Sequence, residues 1–320
     1  MKIAFFWTWD FSRNILSSIL TYKNIEVSVI VSQPDKPVWR KKEIFPTPVK
    51  QLWLEKNIEV LQPETLKNNL DFEQKLKSLN LDFLIVVAYW KIIPKSILDI
   101  PKYCPINIHW SILPLYRWAS PIQESIKNWD TKTWLTIMKM SEGMDEWDIF
   151  EIQEIQIDKD DKTENIFKKF EDIGWPLLVK VLDKIEKNEI LTTRQNDLQA
   201  TYCSKISKQD WLIDFNNDTW NQIYNKYRAY SSWPWVFCFF QWKKLELTDI
   251  SFEENNSCFD DWFELWDVVE YEDHWENHIA ILVKWGLLIL NKVKMEWKSN
   301  MDIFSFINWN KNFLDYNFVK

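Results

Sequence analysis

Glycine is nearly absent from this 320-residue chain: it has 3, where an average composition would supply roughly 22. Few positions can therefore adopt φ > 0 without strain, and tight turns lack their usual residue. Histidine is as scarce, also 3, so imidazole chemistry is confined to His109, His274 and His278. The 4 cysteines, Cys104, Cys203, Cys238 and Cys258, are scattered without a C-x-x-C pair. They read as free thiols, which argues against a disulfide scaffold or a cysteine zinc site and for a reducing, cytoplasmic setting. No run of about 18 apolar residues occurs, so no membrane-spanning helix is expected. The opening MKIAFFWTWDFS is too short in its apolar part for a signal peptide and reads as a first buried strand.

What fills the place of glycine is tryptophan, 22 residues of it. Trp7 and Trp9 fall in the turn after the first apolar run, Trp39 follows QPDKP, Trp129 sits in an N-x-D turn, and Trp235 follows a proline. Such turns call for close backbone approach and φ > 0, which is glycine's role and not that of an indole. A gene that reads UGA as glycine, translated with UGA as tryptophan, would leave this pattern. Most of these tryptophans are therefore expected to be glycine in the functional protein.

Length and an apolar content of 46% fit two soluble domains. Short apolar runs, KIAFFW, IEVSVIVS and DFLIVVAY, alternate with helical stretches such as DFEQKLKSLN. That alternation predicts an α/β fold with a doubly wound, mainly parallel sheet, in which ligands bind at the C-terminal ends of strands. Residues 162–187 read as a long helix closing this part. ILTTRQNDLQATYCSK is polar and irregular and reads as a linker. After it, VFCFF, KKLELTDI, FELWDVVEY, HIAILVK and LLILNKVKM predict a small OB-like β-barrel, followed by a short helix in MDIFSFI. The expected domains are 1–189 and 206–320, joined by a linker at 190–205. His274, Glu276 and His278 lie on a short hairpin edge and read as surface residues, so no metal is expected.

The chemistry concentrates in residues 105–148. If INIH is a strand, Asn107 and His109 share one face. An amide and an imidazole side by side can hold an oxyanion formed in acyl transfer. A nearby carboxylate would fix the imidazole's tautomer and favour its protonated form. Four acids follow, Glu142, Asp145, Glu146 and Asp148, and spacing alone does not choose among them. No Ser or Cys nucleophile stands in the set, which points to direct attack by an amine on a bound acyl donor.

NIHWSILPLYRWASPIQ followed by TIMKMSEGMDEWDI resembles the folate-dependent formyltransferases, and the likeness runs along nearly the whole chain. The family pattern carries glycine at most of the suspect tryptophans, as in HGS and YRGA. Trp233, in SSWPW, is the best candidate for a genuine tryptophan, because the family often has an aromatic there. The resemblance implies a Rossmann-like catalytic domain and selects Asn107, His109 and Asp145 as catalytic. It implies 10-formyl-tetrahydrofolate as the donor, lined by Tyr89 and by the Ser111, Ile112, Leu113 and Pro114 loop. Read alone, that loop is a proline-terminated connection. QPDKPVWR matches a loop implicated in gripping the acceptor end of charged initiator tRNA, which makes Arg40, Lys41 and Lys42 candidate tRNA contacts. From charge alone they are a solvated basic loop. Net charge is -8, and from residue 206 on 11 Lys and Arg face 18 Asp and Glu, a balance that sits awkwardly with a polyanionic partner. The expected assembly is a monomer. A sugar nucleotide or glycinamide ribonucleotide as acceptor, an inactive RNA-binding relative and a dehydrogenase are the rival readings. The last lacks a full G-x-G-x-x-G.

Overall fold

The computed structural model describes residues 1–7, 19, 21–35, 37–38, 43–44, 58–89, 91–231, 233–254, 264–284 and 286–319. Of residues 37, 38, 43, 44 and 254 it describes the backbone only. Arg40, Lys41, Lys42, Trp9, Trp39 and Cys258 lie outside the described residues.

Chain contacts group into two compact units. One holds Met1–Pro121, Lys132–Gln156 and Phe167–Cys203; the other holds Ile122–Thr131, Ile157–Ile166 and Ser204–Lys320. The strands in chain order begin with β1 (Lys2–Phe6), β2 (Glu26–Val31), the short pair β3 (Pro37–Val38) and β4 (Glu43–Ile44), and β5 (Val60–Leu61). Helix α1 (Leu70–Ser78), β6 (Phe83–Val86), α2 (Lys95–Leu98) and β7 (Cys104–His109) follow. Next come β8 (Arg117–Trp118), α3 (Pro121–Lys127), β9 (Lys132–Lys139), β10 (Asp148–Gln156), α4 (Thr163–Glu186) and β11 (Tyr202–Cys203).

Among the described residues the first unit's sheet runs β10-β9-β7-β6-β1-β2-β5. The pairs β5/β2, β2/β1, β1/β6 and β6/β7 are parallel, while β9 is antiparallel to both β7 and β10. β1 is buried on both faces after its first residue, which is why KIAFF is continuously apolar instead of alternating. α1 begins where the Asn69 side chain accepts from the Phe72 N–H, and it buries Phe72 and Leu76. Those two join Phe6, Leu84, Val86, Tyr89, Leu113 and Met138 in one apolar core. The strand order turns back at β1, with β2 on one side and β6 on the other. The C-terminal ends of β1, β6 and β7 therefore border the crevice where such sheets take ligands.

The second unit is built on α5 (Trp220–Tyr230) and the strands β12 (Phe237–Phe240), β13 (Lys243–Glu254), β14 (Val268–Asp273), β15 (Glu276–Val283), β16 (Gly286–Met295) and β17 (Met301–Asp302). They form an antiparallel sheet in the order β12-β13-β16-β15-β14, with β17 on β16, and α6 (Ile303–Trp309) follows. Residues 157–166 join this unit because Arg228 of α5 reaches them. Its buried guanidinium donates to the Asp158 and Asp161 carbonyls, at 3.3 and 3.1 Å. Burial pulls the Arg228 pKa below its ordinary value.

Seven tryptophans, Trp118, Trp129, Trp235, Trp242, Trp266, Trp275 and Trp297, have φ between 63° and 83°. They are seven of the fifteen non-glycine residues with positive φ among those described. A bulky L-residue is an outlier in that region, and glycine is at home there. Trp233 is not among them, and neither is Trp7, which is fully buried.

Candidate active site

β7 places Asn107 and His109 two residues apart at its C-terminal end, in register with Met138 and Thr136 of β9. The Asn107 side-chain amide donates to the Val86 carbonyl of the neighbouring strand at 3.2 Å, and its Oδ1 is buried without a partner. An amide nitrogen has two hydrogens, so one is left for another acceptor. His109 is 8% exposed. Its Nε2 lies 3.1 Å from the Tyr116 carbonyl oxygen, an atom that only accepts, so the proton sits on Nε2. Nδ1 faces the Asp145 carboxylate at 3.9 Å, beyond hydrogen-bond reach and an ion pair only when the ring takes a second proton.

Four non-glycine residues with positive φ surround this centre: Ala88 after β6, Tyr116, Trp118 and Asp145. Backbone in that region persists where neighbouring bonds over-determine it. Here they do. The Asp145 Oδ2 accepts from the backbone N–H of residue 118 at 2.9 Å. The Tyr116 N–H donates to the Thr201 hydroxyl at 2.9 Å, and the Thr201 N–H donates to the Pro114 carbonyl at 3.2 Å.

The Ser111–Pro114 loop closes on itself. The Ser111 hydroxyl donates to the Leu115 carbonyl at 2.6 Å, and the Leu115 N–H donates to the Ile112 carbonyl at 2.8 Å. Thr136 donates to the Ser111 carbonyl, tying the loop to β9. Ser111 and Leu113 are buried, and Ile112 and Pro114 are half-buried. Tyr89 is 8% exposed; its hydroxyl is buried without a partner, and desolvation pushes its pKa up to about 12. Two orphaned polar atoms, Asn107 Oδ1 and Tyr89 OH, thus lie near the carboxyl ends of β7 and β6. A polar heterocycle with donors and acceptors on its edge is the kind of ligand that satisfies such atoms.

Asn107, His109 and Asp145 are brought together, and the Ser111–Pro114 loop leads directly out of β7. Sequence reasoning passed over Arg117, Gln195, Asp197 and Thr201, which hold the loops around the site. Three of the four lie in the stretch read as a linker, where polarity concealed their pairing. A cavity of about 500 Å³ lies at the other end of β7, against Cys104, Pro105, Lys139 and Glu142, and touches none of the site residues. A void of only about 10 Å³ is lined by Trp7, Trp110 and Trp175 beside Ile108. Among the described residues no group of three His, Cys, Asp or Glu side chains is placed to hold a metal ion. No helix among them is long and apolar enough to cross a membrane.

The formyl transferase family model matches residues 1–182, and the model of the formyl transferase C-terminal domain matches residues 205–311. The methionyl-tRNA formyltransferase of Caldicellulosiruptor saccharolyticus is 36% identical over 310 residues, 96% of each chain. That of Dictyoglomus thermophilum is 38% identical over 311 residues, again 96% of each. Among solved structures, HypX from Aquifex aeolicus in complex with tetrahydrofolic acid superposes with a TM-score of 0.63 at 14% identity. It covers 98% of this chain and 47% of that one, a likeness of fold. Two family models in sequence order, and relatives alike along almost their whole length, make this chain a member of the methionyl-tRNA formyltransferase family.

Proposed function

We propose that the chain transfers the formyl group of 10-formyl-tetrahydrofolate to the α-amino group of methionine on charged initiator tRNA, giving the formylated tRNA for translation initiation. The observation that carries the site assignment is the His109 ring, held between the Tyr116 carbonyl and the Asp145 carboxylate with Asn107 one strand period away. The donor supplies an activated formyl carbon; the protein supplies position, charge and proton traffic.

An unperturbed α-amine has a pKa of about 7.7–8.0, so neutral amine is at hand near pH 7. As it attacks, negative charge grows on the formyl oxygen. The second hydrogen of the Asn107 amide stabilises that charge. His109 Nδ1 is the ring position open to a proton, and Asp145 faces it, so the imidazolium formed as the ring takes the amine's proton meets a carboxylate. The proton then passes to the folate nitrogen as its bond to the formyl carbon breaks, which leaves tetrahydrofolate and the formylated amine. The His109 ring was expected to donate to the oxyanion. With Nε2 on Tyr116, it does so through Nδ1 once protonated, or after the loop yields Nε2. Tyr89 and the Ser111, Ile112, Leu113 and Pro114 loop bind the folate donor. Arg40, Lys41 and Lys42 grip the tRNA. Residues 1–189 form the catalytic domain, 206–320 the tRNA-binding domain, and the protein acts as a cytoplasmic monomer without a metal.

Asn107→Ala and His109→Ala are each expected to lose about 100–1000-fold in turnover, the range for one oxyanion donor, while folding normally. A formylation assay with labelled donor reads this, comparing charged initiator tRNA, charged elongator tRNA and a UDP-amino sugar. Near-full turnover in either variant removes that residue from the chemistry. Formylation of the sugar in preference to the initiator tRNA removes the acceptor assignment.

A further inference from the structure

We infer that Gln195 is a positioning residue for the Asp145 carboxylate, acting with Arg117 as a clamp between the linker and the loop after β9. The inference rests on the assignment of Asp145 to the reaction. Gln195 is 7% exposed. Its Nε2 donates to the carbonyls of Asp145 and residue 147, at 2.9 and 2.7 Å. Its Oε1 accepts from Nε and Nη2 of Arg117, at 3.2 and 2.8 Å. The amide's two hydrogens and its oxygen are thus all engaged. Turning it over would set an NH₂ against the guanidinium and an oxygen against two carbonyls, so its orientation is fixed.

Arg117 is 2% exposed and is anchored in turn by Asp197, 2.6 Å from Nη2. Burial opposes its charge, but bonds to Asp197 and Tyr202 outweigh that, and its pKa is raised. The residue after Arg117 gives its N–H to the Asp145 carboxylate. One pair of side chains therefore fixes Asp145 from both sides: its carbonyl through Gln195, and its carboxylate's donor through Arg117. Asp145 sits at φ 58°, a conformation that aspartate enters more readily than most residues but that is still sparsely populated, so bonds on both sides help to hold it. Its oxygen stands 3.9 Å from His109, and misplacement of a reacting group by 1 Å can cost about 100-fold in rate.

Gln195→Glu is the direct test. It keeps the size and the oxygen that accepts from Arg117, and replaces the group that donates to the two carbonyls by an acceptor. The expected result is a fall in kcat of about 10–100-fold, the scale of supporting residues at other sites, with KM for tRNA and folate little changed. In an Asp145→Asn background the same change should add little, because the group it positions is already lost. Gln195→Met, which keeps the length and drops every bond, is the second variant and should follow the same pattern if the glutamate variant does not fold. Wild-type kcat in the folded variant, equal losses in both backgrounds, or a rise in KM alone overturns the clamp. Wild-type kcat in Asp145→Asn by itself overturns the site assignment instead, a result distinct from a silent Gln195.

Discussion

At the residue scale the unusual feature is an indole where the backbone turns left-handed. A non-glycine residue there costs roughly 1–2 kcal/mol, because Cβ crowds the carbonyl. Trp242, Trp275 and Trp297 sit there while 86–96% exposed, so their rings bury little to offset it. Glycine at these places relieves the strain but loosens the unfolded chain, leaving a net gain of about 0.5–1 kcal/mol. Trp242→Gly, Trp275→Gly and Trp297→Gly are each expected to raise the urea midpoint without changing its slope. Trp233→Gly, at a residue without positive φ, should not. Stability lost in all three turn variants would sink the reading. An intact mass of the native protein near 39.0 kDa would sink the wider expectation of glycine. Turn chemistry made Trp129 and Trp235 legible from sequence, since an N-x-D motif and a proline mark them. Trp7 shows the limit: it lies fully buried in Phe5's company, with the Trp175 ring also against Phe5. Its place in the turn after the first apolar run marked it, but its φ is not positive, so glycine there would open space beside Ile108 instead of relieving a turn.

At the scale of elements, long apolar runs announced β1, β2 and β6, because a strand covered on both faces has no polar alternation to blur it, while β7 was legible as a strand only conditionally, from INIH. β10 was not anticipated. DIFEIQEIQ is an edge strand whose middle is exposed, and its charges hide the period. The segment after α4 failed for a related reason: Ile149 bridges to Thr193 and β11 pairs with β8, yet short polar pairings leave no periodicity to read. Charged pairs within sheets are likewise visible only in register. On β13, Glu246 lies opposite Lys294 and bonds both it and Lys244, at 3.0 and 2.7 Å. Burial raises its pKa, but the two lysines outweigh that and hold it below the ordinary carboxylate value. Its native pKa being the lower, the stabilisation is full above the unfolded pKa and fades as pH falls through the native one. Glu246→Gln should therefore cost about 0.5–1 kcal/mol near pH 7, with the gap to wild type closing in acid. A gap in the unfolding midpoint that stays constant down to acid pH would show that the charge is not its source.

At the scale of the whole molecule the sequence poses an electrostatic problem that the fold alone does not solve. The chain carries -8 overall, and residues 206–320 hold -7 of it, which leaves only -1 for everything before. A partner as negative as tRNA is repelled by such a net charge at long range, so binding has to rest on local cations that displace counterions from phosphates. Arg40, Lys41 and Lys42, in the QPDKP context, are the densest such run in the first 205 residues. Each phosphate neutralised adds about 0.7–0.9 to the steepness of log Kd against log salt. Replacing all three by alanine should then weaken tRNA binding and flatten that slope by about 2, while KM for the folate donor stays where it was. The measurement is a salt titration of tRNA binding for wild type and the triple variant. An unchanged slope would place the tRNA contacts elsewhere. A flattened slope with unchanged donor KM would separate the acceptor surface from the chemistry at β7, the division of labour that a chain of this net charge requires.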